Sequence, residues 1–502
     1  MKTGALARAP AARAFEAPSI GRSRLETFVP GLDEIVGGGL LEGRTYLLEG
    51  APGSGKTVLA AQLCFERARR GDACVFVTTL SESHTALLSN LDSFEFFERD
   101  IIDAKIRFIS GYQTVEQGGL DALLRLLTTV LRKTRARLLV IDTLACADDD
   151  PGPRPHWKRF IRDLAALCSL LGCTAVCIAP PDDAHRERGI EQASDGILEL
   201  SRSTIGLRSS RLIEVQKLRG SASLDGKHAF TITEKGVTIY PRIEARFTRF
   251  APAREEMRER VSIGVPALDR VLGGGITSAS STAVAGAPGS GKTLLGLNFL
   301  SAGVRAGEQC LYFGFYETPA RIIAKAEGVG IRLSEHIESG ALELLWQLPL
   351  ESSIDYLADR LLTAVEGRKV TRLFVDGVDA FKMSVSFASR LARFFTALTN
   401  ALRDLGVTTL LSEETNPAAT RMGIATPLSA LFENILLLRY AEDGLRHRRE
   451  FSVLKMRESD YDTSIHELRI SVRGLSLVGV GDRGNETGGK PRGAARRRKV
   501  SR

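Results

Sequence analysis

The eight residues GAPGSGKT occur twice in this chain of 502, at Gly50–Thr57 and at Gly286–Thr293. The pattern GxxxxGK[ST] is the chemistry of a phosphate cradle. In the first copy Gly50, Gly53 and Gly55 carry no Cβ, so the backbone around Ser54 can wrap an anion and point its N–H groups at the oxygens. Lys56 then reaches the β- and γ-phosphates, and the Thr57 hydroxyl takes a Mg²⁺ ion. Gly286, Gly289, Ser290, Gly291, Lys292 and Thr293 repeat the set. Two complete matches in the same context predict two sites for ATP with Mg²⁺.

Three further groups of residues could work beside such loops. Asp142 ends the apolar run LLVID and Asp376 ends LFVD. An acid at the carboxyl edge of a parallel sheet can hold Mg²⁺ through water; the plainer alternative is an aspartate that caps a helix. Glu82 in TTLSES and Glu317 in GFYETP follow another pair of apolar runs. Each can orient the water that attacks the γ-phosphate, or can simply favour a helix N-terminus. Lys217 and Arg219, and again Lys455 and Arg457, alternate along what reads as a strand of an edge hairpin. Two cations on one face suit an anion held by a neighbouring subunit, or form a solvated basic strand. The seven histidines are scattered, with no spacing for a metal.

The elements that must position these residues are repeated as well. FVPGLDEIVGGGL precedes the first loop and GVPALDRVLGGGI the second, and Lys56 and Lys292 stand 236 residues apart, as do Asp33 and Asp269. ACVFVTTL and CLYFGF, LLVID and LFVD, VQKLRG and VLKMRE follow in the same order. The chain is therefore a tandem duplication. Apolar β-branched runs without alternation predict buried parallel strands. They alternate with helical segments such as TVLAAQLCFERARR and ALLRLLTTVLRKTR, so each half is α/β, a mostly parallel sheet flanked by helices. Short alternating strands around glycine turns end each half as an antiparallel hairpin extension. The expected organisation is a loose arm over 1–23, one domain over 24–247, a second over 248–475 and a disordered basic tail over 476–502.

Composition narrows the class further. Hydrophobic content of 43% and charge of 25% suit a soluble globular protein. No run of 18 apolar residues predicts a membrane span, and the N-terminus has no signal-like apolar stretch. Seven cysteines, mostly in apolar segments, read as reduced core residues of a cytoplasmic protein. The net charge of +8 is partly local, since KPRGAARRRKVSR holds seven Lys or Arg and no acid. Such a tail could bind a polyanion, yet no zinc module, helix-turn-helix or aromatic-rich binding strand accompanies it.

These loops, the VPGLD…GGGL and VPALD…GGGI leaders, and QKLRG and LKMRE together resemble the KaiC-like, RecA-fold family of ATPases over about residues 24–475. The resemblance implies stacked RecA-like rings in a homohexamer with ATP between subunits. Lys56, Thr57, Glu82 and Asp142 would form one half-site and the neighbour would supply Lys217 and Arg219. Lys292, Thr293, Glu317, Asp376, Lys455 and Arg457 would repeat the scheme. Where the family has paired glutamates, this chain has Ser81–Glu82 and Tyr316–Glu317. Where the family phosphorylates an adjacent Ser and Thr, Ser429 is followed by Ala430, which leaves Ser429, or nearby Thr426, as a one-site autophosphorylation candidate. The resemblance thus implies a signalling ATPase with a protein partner. A nucleic-acid-dependent ATPase or recombinase, and an ATP-dependent scaffold with little hydrolysis, are the alternatives.

Overall fold

The computed structural model describes residues 23–79, 84–143, 157–179, 190–205, 208–247, 259–348, 352–385, 387–415, 431–443, 446–457 and 460–479. They divide into two compact units on either side of Thr248. Each unit is built on one nine-stranded sheet.

In the first unit the strands are β1 (Thr45–Gly50), β2 (Cys74–Thr78), β3 (Ile106–Ser110), β4 (Leu138–Asp142), β5 (Thr174–Ala179), β6 (Gly196–Ile205), β7 (Arg208–Leu218), β8 (His228–Thr233) and β9 (Gly236–Tyr240). Their order across the sheet is β9-β8-β7-β6-β1-β5-β4-β2-β3. In the second unit they are β10 (Ser281–Gly286), β11 (Cys310–Gly314), β12 (Leu342–Trp346), β13 (Arg372–Asp376), β14 (Thr408–Glu414), β15 (Asn434–Asp443), β16 (Arg446–Met456), β17 (His466–Ser471) and β18 (Gly474–Gly479). The order is the same, β18-β17-β16-β15-β10-β14-β13-β11-β12. Six strands of each sheet run parallel and the last three add antiparallel. This is the tandem RecA-like architecture expected from the repeats, with the hairpin extension at one side of each sheet.

The central strands are apolar on both faces because helices cover both. Every residue of β2, β4 and β5 is buried. On one face lies α1 (Lys56–Arg69), which buries Leu59, Leu63, Cys64 and Phe65. Arg67 and Arg69 sit in its last turn, where cations favour the helix dipole, and Gly71 at φ 97° follows its end. Removing the fully buried Phe65 side chain would cost about 3–5 kcal/mol. The other face is covered by the helix Tyr112–Thr134, which turns Leu123, Leu127 and Leu131 inward at four-residue spacing. The equivalent of α1 in the second unit, α2 (Lys292–Arg305), is buried in the same way.

The leader motifs are structural clamps. Asp33 Oδ1 and Oδ2 accept the Thr27 and Phe28 N–H groups at 2.8 and 3.1 Å. Asp269 accepts the Ile263 N–H at 2.8 Å and the Ser262 hydroxyl at 2.6 Å. The six described cysteines are all buried and unpaired, as expected of core thiols; Cys146 lies outside the described residues.

Candidate nucleotide sites

Both loops leave a central parallel strand and enter a helix. Gly55 and Gly291 adopt φ 109° and 110°, and Gly53 and Gly289 both adopt φ 73°, a conformation that L side chains avoid. A Cβ on Gly50 would lie 2.2 Å from the Leu200 carbonyl oxygen, and one on Gly286 2.4 Å from that of Leu438. The glycines thus allow both the turn and the approach of the neighbouring strand. Inside the curl, the Ser54 and Ser290 hydroxyls are buried and have no hydrogen-bond partner among the described residues. A buried hydroxyl without a partner is costly, and a phosphate oxygen in the cradle would supply one.

The two lysines fold back over their loops. Lys56 Nζ donates to the carbonyls of Gly50 and Ala51. Lys292 Nζ donates to those of Gly286 and Ala287 at 2.8 and 2.9 Å. Burial pushes both ammonium groups below the usual lysine range, opposed by Asp142 at Lys56 and by Glu414, Asp376 and Asp379 at Lys292. Each is therefore a half-desolvated cation at the mouth of a ring of amides.

The strand-end aspartates stand where the spacing placed them. Asp142 pairs in register with Thr78, and Asp376 with Gly314 and Ser412. Thr293 Oγ1 donates to Asp376 Oδ2 at 3.0 Å; in the first unit the nearby Thr57 hydroxyl favours the charged form of Asp142. A threonine hydroxyl beside a carboxylate is the donor set for Mg²⁺ that arrives with a phosphate chain, because this ion keeps most of its water and takes few protein ligands. No group of three His, Cys, Asp or Glu able to hold a metal alone is found among the described residues.

Three residues that the sequence did not single out complete the second site. Tyr312 OH donates to Asp376 Oδ2 at 3.0 Å and Ser412 Oγ to Oδ1 at 2.8 Å. Glu414, at the end of β14, pairs in register with Gly286. TTLLSEE is an apolar run ending in acids, the same signal that LLVID and LFVD carry. The remaining predicted residues are placed as follows. Glu317 is ion-paired with Lys325. Glu82 and Ser429 lie outside the described residues.

Lys217 and Lys455 follow a bulge repeated in both units, where Gln216 and Leu454 are looped out of the ladder. Lys217 Nζ donates to the carbonyls of Glu191 and Ser194, Arg219 to that of Gln192, and Lys455 to that of Phe432. Strand β7 is third from the sheet margin, not at its edge. Lys217 pairs with Ile197, which pairs with Leu47, three residues before Gly50. At about 3.3 Å per residue this sets Lys217 roughly 10 Å from its own loop along the sheet. The structure therefore does not bring these cations to the phosphate loop of their own unit.

The model of the family described as "ATPase: KaiC" matches residues 25–244 and again 261–480. The chain belongs to the KaiC ATPase family. Among KaiC relatives, it is 30% identical over 469 residues to the circadian clock oscillator protein KaiC of Picosynechococcus sp., covering 91% of this chain and 90% of that one. It is 29% identical to circadian clock oscillator protein KaiC 1 and to circadian clock protein KaiC3 of Synechocystis sp., each across 90% or more of both chains. The two KaiC matches each contain one phosphate loop, so the sequence duplication and the family repeat coincide. No helix of the described residues is long and apolar enough to cross a membrane.

Proposed function

We propose that this chain binds Mg-ATP at both loops and hydrolyses it as a KaiC-like signalling ATPase. The observation that carries the reading is the Thr293–Asp376 hydrogen bond beside Lys292, which folds over a complete phosphate loop, with Lys56, Thr57 and Asp142 at the equivalent positions of the first unit. Lys56 and Lys292 would stabilise charge on the β- and γ-phosphates, and the threonine–aspartate pairs would hold Mg²⁺. Mg²⁺ supplies charge neutralisation as the terminal phosphoryl group leaves.

In this reading ATP lies between subunits of a hexameric double ring. Lys217, Arg219, Lys455 and Arg457 approach the nucleotide of the next subunit, since their own loop is out of reach. Glu82 and Glu317 orient water, and Ser429 is the one-site acceptor for autophosphorylation. The ring exchanges protein partners as it turns over, in the cytoplasm.

A time course with γ-³²P-labelled ATP tests this, following free phosphate and protein-bound label together in wild type and in Ser429→Ala. Phosphate release is expected, with label lost in the variant. No phosphate release over any time would leave a scaffold, and label retained in Ser429→Ala would remove Ser429 as acceptor. A monodisperse monomer of 54.5 kDa with ATP bound would overturn the shared site.

A further inference from the structure

The strand that flanks each phosphate loop carries different side chains in the two units. Gly50 pairs in register with Leu200 of β6, and Gly286 with Leu438 of β15. Leu200 lies opposite Ile213 of β7, and Leu438 opposite Phe451 of β16. All four are buried in the cores that α1 and α2 close. Two residues further along, side chains return to the same face. That position is the pair Arg202–Arg211 in the first unit and Tyr440–Arg449 in the second. Both pairs therefore stand past the carboxyl end of the central strand, on the face of the sheet that carries the phosphate-loop helix.

In the second unit the pair is satisfied by the loop itself. Tyr440 OH and Arg449 Nε donate to the Gly289 carbonyl at 2.6 and 3.2 Å, and the Arg449 guanidinium lies 5.5 Å from the centre of the Tyr440 ring. A Cβ on Gly289 would come within 3.1 Å of the Tyr440 hydroxyl. Among the described residues of the first unit, nothing lies within 4 Å of a Cβ built on Gly53, the equivalent glycine. Arg202 is exposed and Arg211 half-buried. Arg211 Nε is buried without a hydrogen-bond partner, and neither guanidinium has a carboxylate partner among the described residues. Burial, and then the charge of Arg202, pull the Arg211 guanidinium below its usual range. Residues directly opposite on antiparallel strands have Cβ atoms about 4.5–5.5 Å apart, so like charges there repel. An oxyanion between two guanidinium forks removes that repulsion and gives both groups hydrogen bonds.

We propose that Arg202 and Arg211 form a phosphate clamp, particular to the first unit, that closes on the phosphate chain of the nucleotide in the first loop. The inference rests on the reading of that loop as an ATP site. The clamp adds two cations to Lys56, where the equivalent pair of the second unit adds one to Lys292. Nucleotide binding at the first loop is therefore the more salt-sensitive of the two.

The test uses the full-length chain carrying Lys292→Ala, so that binding of a fluorescent ATP analogue reports the first loop. Arg202→Gln should weaken binding at low salt by about tenfold or more, the loss of one charge-assisted hydrogen bond. Arg202→Lys keeps the charge without the fork and should fall between Arg202→Gln and the parent. The gap between Arg202→Gln and the parent should narrow as salt rises, because salt screens exposed charges; a general folding defect would not follow salt in this way. Equal affinity in the two proteins at low salt, or a loss that salt leaves unchanged, overturns the proposal. Inorganic phosphate separates the two sources of the anion. If it raises the melting temperature of the nucleotide-free chain only when Arg202 is present, while Arg202→Gln leaves analogue binding intact, the pair takes a free ion and its assignment to the nucleotide is overturned. Absence of analogue binding with Arg202 intact overturns the ATP reading of the first loop, and the proposal with it.

Discussion

Asp142 and Asp376 occupy the same place in two sheets of the same strand order, yet their surroundings differ. Both oxygens of Asp376 are held, by Thr293 and Tyr312 on one and Ser412 on the other. In the first unit, Phe76 and Ile178 stand where Tyr312 and Ser412 stand in the second. Among the described residues the Asp142 carboxylate accepts the Thr143 hydroxyl at 2.9 Å, and the nearby Thr57 hydroxyl also favours its charged form. Burial raises its pKa against those bonds and the Lys56 charge. The strand above the loop differs too. In the second unit Tyr440 OH and Arg449 Nε both donate to the Gly289 carbonyl, at 2.6 and 3.2 Å. The corresponding cross-strand pair in the first unit is Arg202 opposite Arg211. The lesson is that duplication preserved the backbone and the loop chemistry while the side chains around them diverged, so one fold presents two electrostatic environments for the same ligand.

The largest expected break is at the lysines. Lys56→Ala and Lys292→Ala should each remove nucleotide from one loop and spare the other, reducing bound nucleotide measured by equilibrium dialysis from two per chain to one. Each loses charge-assisted bonds of about 1.5–3 kcal/mol apiece, so affinity at that loop should fall by at least about a hundredfold. Equal loss at both loops would mean that the two sites are coupled rather than separate.

Next come the groups that set the two aspartates apart. Tyr312→Phe and Ser412→Ala each delete a hydrogen bond to the half-buried Asp376 carboxylate and should destabilise the second unit by about 1.5–3 kcal/mol in chemical denaturation. They should also raise the Mg²⁺ concentration needed for nucleotide binding. Unchanged values in both assays would show that the Asp376 cage is incidental.

A smaller effect concerns pH in the absence of nucleotide. An acid whose folded pKa is raised contributes stability that is present below its unfolded value, about 3.9 for Asp, and lost as pH rises through the folded value. Asp142 is such an acid. Asp142→Asn should flatten the fall in first-unit stability across that window and make the unit more stable above it. Parallel stability–pH curves for the two proteins would contradict the assignment. Smallest is Arg202→Tyr, which copies the pairing of the second unit and relieves a like-charge pair. A gain of about 0.2–1 kcal/mol is expected for the nucleotide-free protein, and a loss would show that Arg202 has a stabilising partner.

Much of this was legible beforehand because the decisive contacts are local. The phosphate loops, the leaders and the strand-end aspartates are each made by contiguous residues with fixed spacing. The buried parallel strands announce themselves as unbroken apolar runs, so the α/β repeat could be read directly. The position of β7 could not, because a hairpin extension looks alike at the edge of a sheet or three strands in. The partners of Lys217 and Lys455 were also hidden, since backbone carbonyls leave no mark in a sequence.

The sequence by itself determined that there are two phosphate-loop motifs, that they sit in duplicated folds, and that Lys56, Thr57, Lys292 and Thr293 follow their glycines into a helix. These follow from steric demands within eight residues, and from an apolar periodicity that only buried strands satisfy. The tertiary structure alone decided what surrounds them. Thr293, Tyr312 and Ser412 meet at Asp376 from 83, 64 and 36 residues away, and Glu414 meets Gly286 across a ladder. Such meetings depend on strand order and register, which arise when the whole sheet assembles and which no single segment encodes.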